Sequence, residues 1–261
     1  MYGAVIGDMI GSMYEFRSMK DKGFPLFSDD SRLTDDSVMT VAVAEALLTL
    51  PKNATDEAIR DSFVAHMQDW GRRYPNAGYG GRFIYWIFSP DPQPYNSYGN
   101  GSAMRVSPIG WWWDDLETTR QMARFSAEVT HNHPEGIKGA EATAVAIFMA
   151  RTGASKDEIK EYIQREFAYD LDRTCEEIRK DYTFDVSCQG SVPEAIIAFL
   201  EGKDYEDTVR NAVSLGGDAD TQGAIAGSIA EAFFGIPREL LAECRQRLPE
   251  EIKKVVDRFY Q

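Results

Sequence analysis

Disulfide chemistry is the first thing this 261-residue sequence lacks. Its three cysteines, Cys175, Cys188 and Cys244, form no C-x-x-C pair and leave one over, which points to a reducing cytoplasm. No window of about 18 uncharged apolar residues exists, which excludes a membrane-spanning helix. The opening run, Met1-Tyr2-Gly3-Ala4-Val5-Ile6-Gly7-Asp8, has no basic segment and is interrupted by a carboxylate, so no signal peptide is expected. Positive charge is short as well. Against 42 Asp and Glu stand 28 Lys and Arg, a net charge of −14 that disfavours a nucleic-acid backbone as partner. Strand-like alternation is nearly absent, and neither a repeat nor a linker divides the chain. No complete G-x-x-x-x-G-K-[ST] or G-x-G-x-x-G element follows a strand, so neither a P-loop nor a dinucleotide fold is supported. What remains is 43% hydrophobic and 27% charged, an ordinary globular balance. The expectation is one all-α domain spanning residues 1–261.

What is present concentrates in two stretches. Ser214-Leu215-Gly216-Gly217-Asp218-Ala219-Asp220-Thr221-Gln222-Gly223 places two carboxylates and a hydroxyl directly after a glycine pair. The glycines free the backbone to turn. Ala224 to Phe234 behind them is apolar with small residues interleaved, and Gly235 and Pro237 stop it. That predicts a buried helix whose first turn carries Asp218, Asp220 and Thr221. A plain N-cap would explain one such side chain, and here there are three.

Leu33-Thr34-Asp35-Asp36-Ser37 repeats the device before a second apolar run, Val38 to Leu50, closed by Pro51. If the two helix starts meet, Asp35, Asp36, Asp218 and Asp220 share one small volume. Two unit charges about 4 Å apart cost about 4 kcal/mol at an effective dielectric near 20. Helix dipoles offset only roughly 0.3–1 kcal/mol each. Such a cluster needs protons or cations. Oxygen ligands suit Mg²⁺, Mn²⁺ or Ca²⁺ and argue against zinc or copper. Four carboxylates balance two divalent ions, so a two-metal site is predicted.

The rest of the chain reads as helices and glycine-rich loops. Gly3 to Phe16 is predicted as a small-residue helix able to approach neighbours closely, with Glu15 near its end. Thr55-Asp56-Glu57 caps an amphipathic run, Ala58 to Tyr74. Asn76 to Phe83 is a glycine-rich aromatic loop, and Ser89 to Ser97 is punctuated by proline. Ser97-Tyr98-Gly99-Asn100-Gly101-Ser102-Ala103-Met104-Arg105 can cradle phosphate, although glycine alone is weak evidence for that. Trp111-Trp112-Trp113 suits core and interface packing. His131-Asn132-His133-Pro134 opens a long helix to Arg151. The H-x-H pair has no third metal-ligand partner, which favours His131 as a hydrogen-bonding or structural group. Ser187 to Ser191 reads as a turn before a Pro193 helix start, and Arg238 to Gln261 as a solvated helical outer layer.

In order along the chain, Gly7-Asp8 through Tyr14-Glu15-Phe16, Leu33-Thr34-Asp35-Asp36, Tyr98-Gly99-Asn100-Gly101 through Ala103-Met104-Arg105, Thr130-His131, and Ser214-Leu215-Gly216-Gly217-Asp218-Ala219-Asp220-Thr221 resemble the ADP-ribosylglycohydrolases. The resemblance runs from about Gly3 to Gly235, and the paired acidic motifs are specific in combination. It implies an all-α fold and a binuclear Mg²⁺ centre, with Mn²⁺ possible, held by Thr34, Asp35, Asp36, Asp218, Asp220 and Thr221. It also moves Glu15 beside the scissile bond as the acid/base or water-positioning group, with Asp36 or Asp220 as sharers of that role. The implied substrate is ADP-ribose, or a protein carrying it, cut at C1 of the distal ribose. Ser97, Tyr98, Gly99, Asn100 and Gly101 would hold pyrophosphate and proximal ribose, His131 a phosphate, and Tyr98 or the Gly78–Phe83 loop the adenosine. Met104 and Gly217 would also face the substrate. Ser37 stands where many relatives have threonine, and the chain is short beside vertebrate members. The acceptor therefore stays open: arginine first, then serine, O-acetyl-ADP-ribose or a nucleic-acid linkage. A non-catalytic ADP-ribose binder or a structural relative is the alternative class.

Overall fold

In the computed structural model, which describes residues 1–261, the regular structure is entirely helical. The helices are α1 (Tyr2–Gly11), α2 (Asp35–Thr49), α3 (Asp56–Arg73), α4 (Gly81–Phe88), α5 (Gly101–Met104), α6 (Ser107–Trp112), α7 (Leu116–Glu128) and α8 (Pro134–Arg151). They continue as α9 (Lys156–Phe167), α10 (Cys175–Asp181), α11 (Cys188–Glu201), α12 (Tyr205–Val213), α13 (Ala219–Phe234), α14 (Arg238–Arg247) and α15 (Glu250–Phe259). The one β-type pairing is an isolated antiparallel bridge between Gly99 and Ser187. The fold is all-α, as the missing alternation predicted. No helix is long and apolar enough to cross a membrane, and all three cysteines are free and buried.

A glycine seam organises the centre. Gly3, Gly7 and Gly11 recur every four residues and share one face of α1, as do Ala219, Gly223 and Gly227 on α13. The two helices run antiparallel with those faces touching. A Cβ built on Gly3, Gly7 or Gly11 would overlap the backbone carbonyl of Gly227, Gly223 or Ala219 in turn. The pairing delivers the end of α1, and Glu15 just beyond it, to the start of α13. From Ala219 to Glu231, α13 is buried on every side. A helix apolar around its circumference must be enclosed, and α1, α8, α11 and α12 enclose it.

Several boundaries differ from the sequence reading, each for a local reason. Helix α1 stops at Gly11 rather than Phe16. There the Ser12 hydroxyl donates back to the Met9 carbonyl at 2.9 Å and accepts from the Arg32 N–H at 3.2 Å, which turns the chain. Ser187 to Ser191 is not a turn: Ser187 caps Gly190 N–H at 3.2 Å, so α11 begins at Cys188 with Pro193 inside it. The predicted loop over Asn76 to Phe83 gives way to helix at Gly81. The C-terminal segment is two helices, broken at Leu248-Pro249, and each docks an apolar face: Leu240 and Cys244 on α14, Ile252, Val255 and Val256 on α15. It is an amphipathic layer rather than a solvated one. Of the three consecutive tryptophans only Trp112 is exposed, and its ring packs on Phe259 with centroids 5.4 Å apart.

Candidate active site

Three chain segments converge on one buried point: the end of α1, the start of α2 and the start of α13. At the start of α2, Thr34 has extended backbone and its hydroxyl accepts from Asp36 N–H at 3.3 Å. This is ordinary N-capping. The same hydroxyl donates to Asp8 Oδ1 at 2.7 Å. Asp8 Oδ2 accepts from the backbone N–H of Thr34 at 3.0 Å and of Ser37 at 3.1 Å, and from the Ser37 hydroxyl. Asp8, on α1, is thus an anchor for the free N–H groups of α2, its Oδ2 accepting three of these four bonds and its Oδ1 one. Ser37 keeps a hydroxyl donor in that anchor.

At α13 the turn Ser214 to Gly217 needs its glycines. Gly216 sits at φ 77°, and Gly217 has the Tyr182 ring lying directly on it. Tyr182 is locked there by donating to the Gly190 carbonyl at 2.6 Å and accepting from Gln222 Nε2 at 2.9 Å. Lys20 and Ser18 tie the segment after Glu15 to this turn, the Lys20 ammonium donating to Leu215 O at 2.5 Å and Tyr182 O at 2.6 Å, and Ser18 Oγ to Gly216 O at 3.0 Å. Asp218 then accepts from Asn100 Nδ2 at 2.7 Å, and Asp220 from its neighbour Thr221 N–H at 2.9 Å.

The carboxylates do meet. Asp8, Asp36 and Asp220 offer oxygens within 4.8 Å of one another, and so do Glu15, Asp218 and Asp220. Thr34, Asp36, Asp218, Asp220 and Thr221 are buried, while Asp35 and Glu15 are half-buried at the rim. Burial, and then the Asp220 charge, lift Asp35 and Asp36 well above the usual carboxylate range. Burial and the Asp218 charge do the same to Asp220. Burial raises Asp218 to about 6 against the opposing Asn100 hydrogen bond, and burial with the Asp220 charge raises Glu15 to about 7. No lysine or arginine is among the leading influences on Asp35, Asp36, Asp218 or Asp220, and Asp36 Oδ1 is buried without any hydrogen-bond partner. An all-oxygen, cation-free set with an unpaired inward oxygen fits hard divalent ions and gives zinc no nitrogen or sulfur to bind.

A cavity of about 370 Å³ opens from this cluster, within the range of small-molecule sites. Glu15, Asp35, Asp36, Ser97, Gly99, Asn100, Gly101, Met104, His131, Asp218, Asp220 and Thr221, all site candidates from the sequence, line it together. So does the loop around Gly78, Gly80 and Phe83. Three residues lie elsewhere. Thr34 is beneath the cavity on Asp8, Gly217 is covered by Tyr182, and the half-exposed Tyr98 turns its ring edge to His133 with centroids 5.3 Å apart. Missed from sequence were Asp8, Tyr95, Arg105 and the 184–186 segment, whose Phe184 and Val186 close the opposite wall. That wall is pinned by backbone bonds from Asn100 N–H to Val186 O at 2.8 Å and Cys188 N–H to Tyr98 O at 2.9 Å.

His131 is tied to Arg105 through the Thr130 hydroxyl. The buried guanidinium donates to Thr130 Oγ1 at 2.8 Å, and that hydroxyl lies 2.7 Å from His131 Nδ1. The Thr130 hydroxyl, with one proton and two lone pairs, thereby couples the guanidinium to the ring, and it also lies 3.5 Å from the Ala127 carbonyl oxygen. Nε2 faces the Gly99–Gly101 backbone, where no side chain intervenes. Burial and the Arg105 charge hold His131 well below the usual imidazole range, so the ring stays neutral. The cavity therefore joins the acidic cluster to donors that include Arg82, Arg105 and His131, a layout suited to an anionic ligand.

Comparison with known proteins gives the family. The family model described as ADP-ribosylglycohydrolase matches residues 1–261. ADP-ribosylhydrolase ARH3 of Homo sapiens is 28% identical over 309 aligned residues, covering 90% of this chain and 84% of the relative. ADP-ribosylarginine hydrolase Tri1 of Pseudomonas putida is 24% identical, covering 90% of this chain and 70% of the relative. Among solved structures, one described as an ADP-ribosylglycohydrolase-related protein complex superposes with a TM-score of 0.71 at 25% identity, covering 99% of this chain and 94% of that one. This chain belongs to the ADP-ribosylglycohydrolase family.

Proposed function

We propose that the protein removes ADP-ribose from a modified acceptor by hydrolysing the glycosidic bond at C1 of the distal ribose. The observation that carries this is the placement of Glu15 against Asp218 and Asp220 at the mouth of the cavity. Thr34, Asp35, Asp36, Asp218, Asp220 and Thr221 would hold two Mg²⁺ or Mn²⁺ ions. When bound, such ions orient ribose hydroxyls, lower the pKa of water and supply the positive charge that a protein of net −14 lacks. Thr34 does so at one remove, its hydroxyl being engaged with Asp8.

Glycosidic cleavage passes through an oxocarbenium-like state and needs a proton moved at the leaving atom or at water. Glu15 is half-buried and bordered by Asp220, a setting that favours the protonated form and suits that exchange. Asp8 takes no proton in this scheme; it fixes α2 so that Asp36 points inward. Asn100 orients Asp218, and His131 Nε2 with the Gly99–Gly101 backbone receives pyrophosphate. Arginine is the acceptor proposed first, as the name of the Tri1 relative also suggests. Release of intact ADP-ribose from arginine-linked and serine-linked peptides, with Mg²⁺ and with EDTA, tests the function. Metal-dependent release from one linkage supports it and identifies the acceptor. Binding of ADP-ribose without release from any linkage would turn the protein into a reader.

The relay behind His131 has its own test. Thr130→Val leaves the Arg105 guanidinium without one acceptor and Nδ1 without its partner, so ADP-ribose binding should weaken about ten-fold, the scale of one hydrogen bond to a charged group. ¹⁵N imidazole spectra should show the His131 Nδ1 resonance shifting as its Thr130 partner is lost. Thr130→Ser should restore both. Unchanged spectra in the valine variant would remove the relay.

A further inference from the structure

A second cavity, of about 450 Å³, opens on the other side of Glu15. It shares Glu15, Phe16 and Phe184 with the first and is otherwise walled by Lys20, Lys180, Asp181 and the Tyr182–Thr183 backbone segment. We propose that it receives the acceptor polypeptide, and that it selects chains with acidic residues flanking the modified side chain. This rests on the hydrolase function proposed above. If the scissile bond lies at Glu15 with ADP-ribose in the first cavity, the remainder of the substrate must leave along this one.

Charge supplies the selectivity. The protein carries −14 overall, yet the cations here are not spent on carboxylates. Lys20 is held by two backbone carbonyls, and Arg179 beside it donates to Ser214 Oγ at 2.9 Å and Asn211 Oδ1 at 3.5 Å. Lys180 is exposed and makes neither an ion pair nor a hydrogen bond. Asp181 is the only carboxylate in the lining besides Glu15. Burial, and then the Arg179 charge, hold Lys20 below its usual range against the opposing charge of Asp181. The lip is apolar: Phe16 and Phe184 are 77% and 49% exposed with ring centroids 6.1 Å apart. Exposed phenylalanines suit aliphatic and backbone surface. A polypeptide is favoured over a nucleic-acid end because three cations do not offset repulsion of a polyphosphate by the rest of the molecule.

The test uses matched peptides modified on the same residue, one flanked by glutamates and one by lysines, with kcat/KM read as ADP-ribose release. The unmodified protein should prefer the glutamate peptide by about five-fold at low salt, a preference shrinking as salt screens the rim. Lys180→Glu should abolish or invert it, while free ADP-ribose binds both proteins equally. Equal rates on the two peptides, or an equal effect of Lys180→Glu on both, would overturn the proposal. So would faster release from an ADP-ribosylated oligonucleotide end than from the glutamate peptide. If no peptide is cut, the hydrolase function fails instead, and competition of the same peptides against ADP-ribose in EDTA still reads the cleft. Tighter binding of the glutamate peptide then supports the cleft, and equal binding removes it.

Discussion

Glu15→Gln should lower kcat by roughly two to four orders of magnitude, the share of a barrier that positioned proton transfer commonly supplies. That corresponds to about 2.7–5.5 kcal/mol at the transition state. Binding of free ADP-ribose should change by less than about three-fold, because the substitution keeps the size of the Glu15 side chain and leaves the polar loop from Ser97 to Gly101 and His131 untouched. The fold should tolerate the change. No protein donor is held by the Glu15 carboxylate, and its surroundings oppose its charge. Removing that charge relieves the cost of its burial and the repulsion from Asp220, which outweigh the Arg32 attraction that is lost. Single-turnover release of ADP-ribose, with binding measured calorimetrically on the same preparation, separates the two effects. A loss in kcat below ten-fold would transfer the proton to Asp36 or Asp220.

Metal removal should produce the second large effect, and its size should depend on pH. The carboxyls of Asp35, Asp36, Asp218, Asp220 and Glu15 all have folded-state pKa values raised above their unfolded ones. Groups of that kind stabilise the fold below the unfolded values, near 4, and the contribution is lost as pH rises through the folded values, about 6 for Asp218 and about 7 for Glu15. A bound cation replaces the lost protons. The increment in melting temperature given by Mg²⁺ over EDTA should therefore grow from pH 5 to pH 8. A ligand at about 100 times its Kd adds about 2.7 kcal/mol, which for a chain of this length is about 5–10 °C. Comparing the two conditions at each pH cancels His131, whose depressed pKa works in the opposite direction in both. Asp36→Asn should raise the melting temperature in EDTA at pH 8 and abolish the Mg²⁺ increment. An increment that is flat with pH, or an Asp36→Asn protein that melts lower in EDTA, would remove the binuclear site.

The acidic motifs were legible because their meaning is local. Thr34-Asp35-Asp36 and Asp218-Ala219-Asp220-Thr221 each announce a helix start within a few residues, and two such starts joined to buried small-residue helices imply a meeting point. Asp8 was illegible for the opposite reason. In sequence it interrupts an apolar helix; its role exists only through Thr34 and Ser37, 26 and 29 residues away. Arg105 likewise stands beside the glycine loop in sequence, but its partners Ser126 and Thr130 arrive from the end of α7 and beyond. The wall formed by Phe184 and Val186 has no signature at all. It is held by backbone bonds to residues 98–100, which any side chains could make. Helix boundaries erred where a single hydroxyl, Ser12 or Ser187, decided the outcome against propensity.

The glycine seam sets a tolerance as well as a contact. Where α1 meets α13, Gly3, Gly7 and Gly11 rest on the main chain of Gly227, Gly223 and Ala219, so the separation of the two axes is a sum of backbone atomic radii. A helix pair spaced by leucines or valines can shift by fractions of an ångström when a rotamer changes or a neighbour is exchanged. A pair spaced by backbone has nothing between its helices to rearrange. The chain leaves one of these helices four residues before Glu15 and Asp218 to Thr221 begin the other, so the spacing between the end of α1 and the acidic cluster is set by backbone contact. Drift in the surrounding core can accumulate over many substitutions without being passed to that spacing.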